Sequence, residues 1–222
     1  LKLYKYIFPT LIFSDIQKDL ATEVLPVAIE YLQTYGEQFM GYENHISTYR
    51  NTDATRKLNS DPRLANFYNF ISSEAKKMLD YQNVDYSEYA FSPSFLVNQV
   101  GKNSTHLLHS HPGSVISGCF YLTTSADSPP IVFKDPRDYY KYIYYRPIFG
   151  RNTPYSLLPE HVETIQDGLI MMWPSWLEHE VPLSNSDGER ITIAFDMIPA
   201  KLLEKTSATL TKQNYMNHWI PI

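Results

Sequence analysis

The period of the apolar residues changes near residue 90, and that change limits the folds open to this 222-residue chain. From Phe91 onward, short β-compatible segments alternate with Pro, Gly, Asn and Asp. They run from Phe95 to Val100, Val115 to Thr123, Ile131 to Lys134, Gly168 to Trp173 and Arg190 to Met197. Short strands separated by turn signals predict an antiparallel sandwich or barrel. Before residue 90 the spacing is helical. Leu20, Val24, Val27, Ala28, Tyr31 and Leu32 recur at three- and four-residue intervals behind a cap at Ser14 or Asp15, with Pro26 set to bend or delay the helix. A second helix reads from an Asp61 cap and Pro62 through Leu64, Phe67, Tyr68, Ile71, Ala75, Met78 and Leu79. Tyr4 to Phe13 reads as an edge strand. The expected organisation is one domain: residues 1–90 as mainly helical support, 91–200 as the β core and 201–222 as a C-terminal extension.

Composition narrows the function classes. At 43% hydrophobic and 19% charged residues the chain is neither disordered nor a coiled coil. A formal charge of −5, with no Lys/Arg cluster beyond the pair in "EAKKML", offers nothing to a phosphate backbone, so no nucleic-acid partner is expected. No apolar run approaches the roughly 20 residues that span a bilayer. The opening "LKLYKYIFPTLIF" is too aromatic for a signal peptide and lacks a small-residue cleavage site, so no membrane partner is expected. The single Cys119 permits no intrachain disulfide, which points to a reducing, cytoplasmic compartment.

The chemistry concentrates in "HLLHSHPGSVISGCFYL", residues 106 to 122. Side chains alternate across a strand, so His109 and His111 share a face as a two-pronged metal clamp while His106 faces away. Downstream, "GLIMMWPSWLEHEVPLSNSDGERITIAF" offers His179 at the end of an apolar strand. Three imidazoles from two strand ends would occupy one face of an octahedral iron and leave the other positions for substrates. Alternation also groups Ser117, Cys119 and Tyr121 on one strand, and Arg190, Thr192 and Ala194 on another. If these faces point into a barrel, Arg190, Thr192 and Tyr121 form a pocket for an anion. A buried guanidinium requires a carboxylate partner. No acidic residue lies on these faces between Ser117 and Leu122 or between Arg190 and Phe195, and a ligand carboxylate fits that gap.

The two segments "HSHPGSVISGCFYL" and "HEVPLSNSDGERITIAF" resemble the iron(II)- and 2-oxoglutarate-dependent dioxygenases, above all the prolyl-hydroxylase-like group and its small relatives with an H-x-H-P signature. In the prolyl hydroxylases an H-x-D motif precedes a strand ending in Tyr-Leu, and a distal His leads to an Arg that binds 2-oxoglutarate. The resemblance covers about residues 95 to 198. It implies a mostly β (α+β) fold, a double-stranded β-helix or jelly roll with the N-terminal helices packed on one sheet. It implies His109 and His179 as iron ligands, Arg190 as the 2-oxoglutarate anchor, and Tyr121 and Thr192 as its hydrogen-bonding neighbours. The implied cofactors are Fe(II), 2-oxoglutarate as cosubstrate and O2. The implied reaction hydroxylates an unactivated C–H bond of a small-molecule or peptide substrate, prolyl residues included, with decarboxylation of 2-oxoglutarate to succinate and CO2.

The departure is His111, where the family pattern has Asp. His111 completes a three-histidine triad, or stands aside, or gives way to a carboxylate such as Asp135 in "FKDPR", whose alternative role is a turn before Pro136. Two rival readings stay open. A cupin-like metal protein, or a dioxygenase not using 2-oxoglutarate, shares the barrel and histidines, although positions 115 and 116 are Val and Ile where cupins usually place a Glu. A non-enzymatic jelly-roll binding module would use the histidines for packing. Trp173, Trp176 and the tyrosine-rich tract at 139–149, a lid or a strand extension, are candidate cavity walls. His45, His161 and His218 read as surface or packing residues.

Overall fold

The structure, a computed structural model, describes residues 9–137 and 160–201. The chain runs β1 (Phe13–Ile16), α1 (Lys18–Tyr35), β2 (Glu37–Gln38), β3 (His45–Ser47), α2 (Thr52–Asn59), a 3-10 turn (Pro62–Leu64) and α3 (Ala65–Tyr81). The β region follows as β4 (Tyr89–Val100), β5 (His106–His109), β6 (Ile116–Thr123), β7 (Ile131–Lys134), β8 (Glu160–Glu163), β9 (Leu169–Pro174), β10 (His179–Val181) and β11 (Arg190–Lys201). Two sheets form, a seven-stranded one in the order β1-β9-β6-β11-β4-β3-β2 and a four-stranded one in the order β5-β10-β7-β8. From β4 to β11 the strands alternate between the sheets except that β7 and β8 both lie in the smaller one, which is the double-stranded β-helix, with the N-terminal helices packed on the larger sheet. Among the described residues, no helix is long and apolar enough to cross a membrane.

Alternation along the larger sheet separates two environments. Phe95 and Val97 of β4, Phe120 and Leu122 of β6, and Ile193, Phe195 and Met197 of β11 join Val24, Ala28, Phe67 and Ile71 of the helices in the main core. The Phe67 ring lies 5.3 Å from Phe95, 5.2 Å from Phe120 and 5.6 Å from Phe195, centroid to centroid. A smaller cluster of Tyr121, Ile131, Phe133, Leu169, Met171, Trp173 and Leu177 fills the space between the sheets. The same inner face carries the polar residues: in the ladder Thr192 sits opposite Tyr121 and Asn98, and Asp196 opposite Ser117 and Ser94.

Several boundaries differ from the sequence reading. Ser14 and Asp15 belong to β1, the edge strand paired with β9, and do not cap α1. Gln17 holds the cap position without a side-chain capping bond, and its backbone N–H donates to the Gly168 carbonyl at 2.7 Å. Pro26 lies inside α1 without ending it. Asp61 caps the 3-10 turn by accepting the Arg63 N–H at 2.9 Å, and α3 proper starts at Ala65. The short α2, capped by Asn51 accepting from Ala54 N–H at 2.9 Å, carries only Ala54 and Leu58 as buried residues, too few to register as a period. His179 does not end the apolar strand β9; the chain turns after Pro174 and His179 opens β10 in the other sheet.

Candidate metal centre

His109 and His179 are cross-strand partners on β5 and β10. His111 follows β5 by two residues and is held by its backbone N–H, which donates to the Ser175 carbonyl at 2.9 Å. The three rings therefore meet at one end of the barrel. One potential ligand atom from each lies within 4.8 Å of the others, and among the described residues no carboxylate joins this group. Ring centroids are 4.4 Å apart for His109 and His179, 5.1 Å for His109 and His111, and 5.2 Å for His111 and His179.

Each ring is oriented through its other nitrogen. His109 Nδ1 donates to the Leu107 carbonyl at 2.6 Å, and His179 Nδ1 to the Leu177 carbonyl at 3.0 Å, both two residues back along the chain. His111 Nδ1 meets the Asp196 carboxylate at 2.9 Å and 3.0 Å from its two oxygens. Engaging Nδ1 as the donor fixes the tautomer whose Nε2 carries a lone pair, the arrangement found around metal-ligating histidines. Nε2 of His111 and Nε2 of His179 face one another at 3.4 Å.

Burial sets the charge of these rings. It holds the His179 pKa down to about 3, with the neighbouring His109 and His111 adding to the shift. Burial, then His111, also lowers that of His109. Imidazoles kept neutral near pH 7 need shed no proton to bind a cation. An all-imidazole donor set suits iron, zinc, copper or nickel, so the residues present fit the iron implied by the sequence resemblance. Trp173 walls the centre, its ring 4.8 Å from His179 in an edge arrangement, whereas Trp176 is largely exposed.

Deeper in the barrel lies Arg190, only 4% exposed. Nη1 donates to the Pro129 carbonyl at 3.3 Å, while Nε is buried without a partner. Among the described residues no carboxylate pairs with it. Its charge acts on His45, His106, Cys119 and Tyr121, which places all four around it. Tyr121 and Thr192 are buried neighbours across the β6–β11 ladder. Burial pushes the Tyr121 phenol well up and the Cys119 thiol up to about 11, so both stay protonated.

The facing of His106 differs from the sequence expectation. His106 does not face away from the interior: its ring stacks on the fully buried His45 at 4.7 Å, and its Nε2 is buried. The cause is a register shift between β5 and β10, where His109 pairs with His179 but His106 pairs with Val181. Such a bulge turns the two successive leucines, Leu107 and Leu108, outward and brings His106 back inside. His106 is nevertheless outside the metal-sized group. His45 is likewise an interior residue, while His161 is exposed on β8. Asp135 stands apart from the centre, its carboxylate bonded to the Arg137 backbone N–H at 2.8 Å and guanidinium at 2.9 Å. The tyrosine tract and His218 lie outside the described residues. Asp196 escaped notice although it sits on the face of Arg190, Thr192 and Ala194; continuing the alternation one step beyond Phe195 reaches it.

Residues 94–196 match the protein family described as "Putative 2OG-Fe(II) oxygenase". Solved structures of similar fold include the non-heme alpha ketoglutarate dependent carbocyclase SnoK from nogalamycin biosynthesis, at 11% identity over 86% of this chain and 82% of that one, with a TM-score of 0.58. HygX from Streptomyces hygroscopicus, solved with nickel and 2-oxoglutarate bound, is 14% identical over 91% and 90%, with a TM-score of 0.53. A Pseudomonas putida prolyl-4-hydroxylase is 9% identical over 85% and 92%, with a TM-score of 0.52. At such identities these likenesses establish the fold. No curated protein matches the sequence.

Proposed function

We propose that the chain is an enzyme of the iron(II)/2-oxoglutarate oxygenase superfamily that hydroxylates an unactivated C–H bond at the expense of 2-oxoglutarate, a reading supported by the family match over residues 94–196 and by the cluster of three histidines. His109, His111 and His179 would hold Fe(II), which supplies the activation of O2. The observation that carries the cosubstrate assignment is Arg190. A guanidinium buried without a carboxylate is costly, and an incoming dicarboxylate removes that cost. Arg190 would hold the far carboxylate while the keto-acid end reaches the histidines. The protonated Tyr121 and Thr192 hydroxyls would donate to the same carboxylate. Trp173, Phe133 and Leu177 would keep water from the reacting end.

The substrate class is a small molecule or a peptide. Similar folds belong to a prolyl hydroxylase and to SnoK of nogalamycin biosynthesis, and both classes follow by analogy. A second reading, a metal-dependent dioxygenase without 2-oxoglutarate, is favoured by the all-imidazole donor set alone. Succinate formation in aerobic assays with Fe(II) and 2-oxoglutarate separates the two. Succinate that depends on Fe(II) and disappears in Arg190→Ala supports the proposal. No succinate with an iron-loaded protein favours the second reading.

A further inference from the structure

Among the three histidines, one differs in what holds it. His109 and His179 give their Nδ1 protons to neutral backbone carbonyls of Leu107 and Leu177. His111 gives its proton to a carboxylate, that of Asp196, at 2.9 Å and 3.0 Å. His111 is also the residue standing where the resembling H-x-D pattern has an acidic ligand. With three neutral imidazoles, a divalent cation would carry one more unit of positive charge than with two imidazoles and a carboxylate. The unit of charge missing from the ligand set is present one ring away.

The carboxylate is built in. Asp196 is 6% exposed on β11, its Oδ1 accepts from Ser117 Oγ at 2.5 Å, and Ser117 Oγ in turn pairs with Ser175 Oγ at 2.8 Å. Ser175 is the residue whose carbonyl holds the His111 backbone. One network thus fixes ring and carboxylate together. A carboxylate on Nδ1 of a ligating imidazole raises the basicity of Nε2 and lends it anionic character. Ring orientation alone needs no anion, as His109 and His179 demonstrate with carbonyls.

We propose that Asp196 is a positioning residue that restores the missing ligand charge through His111, so that His111 and Asp196 together stand in for the single aspartate of the H-x-D pattern. The inference rests on the metal-centre reading above. Asp196 touches neither metal nor substrate; it acts on the donor strength of His111 Nε2.

The test is titration of the metal-free protein with Co(II), read by affinity and by the visible ligand-field bands. Asp196→Asn keeps shape and an acceptor for the His111 proton but removes the charge. It is expected to fold, to bind Co(II) about 10- to 100-fold more weakly, and to shift the bands as the donor weakens. His111→Asp/Asp196→Asn moves the charge from the far side of the ring to the metal side. It is expected to bind about tenfold or more tightly than Asp196→Asn alone, and it carries the test if the single variant does not fold. Native affinity and bands in Asp196→Asn would overturn the role, as would a double variant no tighter than that single variant. Loss of binding in Asp196→Asn with native binding in His111→Ala would make Asp196 a direct ligand and overturn it too. If native protein binds no Co(II), the metal centre itself falls; native binding with an unaffected Asp196→Asn overturns this role alone.

Discussion

Arg190 and Pro129 meet at 3.3 Å, guanidinium Nη1 to carbonyl oxygen, and that neutral acceptor is the hydrogen-bond partner of a cation otherwise buried with its Nε unsatisfied. A buried guanidinium with no carboxylate beside it among the described residues is the basis of the first prediction. Arg190→Ala raises the dissociation constant for 2-oxoglutarate by about 30-fold or more, the effect of truncating one side of a buried charge pair. It leaves Co(II) or Fe(II) affinity at the native level. Calorimetric titration of cosubstrate and of metal, done separately, checks both halves.

His179 is the most buried of the three clustered histidines and lies on the strand paired with that of His109. His179→Ala lowers metal affinity by more than about 100-fold, beyond the loss typical of an outer partner. Equilibrium dialysis against Co(II) measures it. Retained affinity would move the centre elsewhere.

How far the site was legible depends on local regularity. Tyr121 and Thr192 face one another across the β6–β11 ladder, as alternation along each strand grouped them, and Arg190 shares the buried side of β11. His106 failed because the β5–β10 bulge inserts a residue, and nothing local to "HLLH" announces a bulge. Asp196 went unread because the alternation was stopped at Phe195, one residue early. The helical stripes of α1 and α3 were legible because each buries five or more residues along one face, while α2 buries two. The placement of His179 in the second sheet was not legible, because the turn after Pro174 changes sheets and sheet membership is a tertiary property.

The buried His45 gives a pH prediction. Burial lowers its pKa from 6.5 to about 4, so the unfolded chain binds a proton there that the folded chain refuses. Stability of the metal-free protein is then fully present above about pH 6.5 and falls as the pH drops toward about 4, by an amount on the order of 3 kcal/mol for this residue. His179, held down to about 3, acts in the same direction. Urea unfolding at several pH values shows the slope, and His45→Phe makes it shallower. An unchanged slope in His45→Phe would contradict the assignment.

Gly118 supports the main core by having no side chain. A Cβ there would lie 2.2 Å from the Phe195 ring and 2.6 Å from the Met171 carbonyl oxygen. Gly118→Ala therefore destabilises by about 1–3 kcal/mol through displacement of Phe195 from Phe67. Denaturant unfolding of the metal-free protein checks it, with secondary structure retained.

Whether three imidazoles and Arg190 serve one iron and one 2-oxoglutarate is read by anaerobic absorption spectroscopy. Fe(II) is added to the metal-free protein first, then 2-oxoglutarate. A visible metal-to-ligand charge-transfer band is expected that requires both additions and is absent from His179→Ala. No band at saturating Fe(II) and 2-oxoglutarate would contradict that assignment.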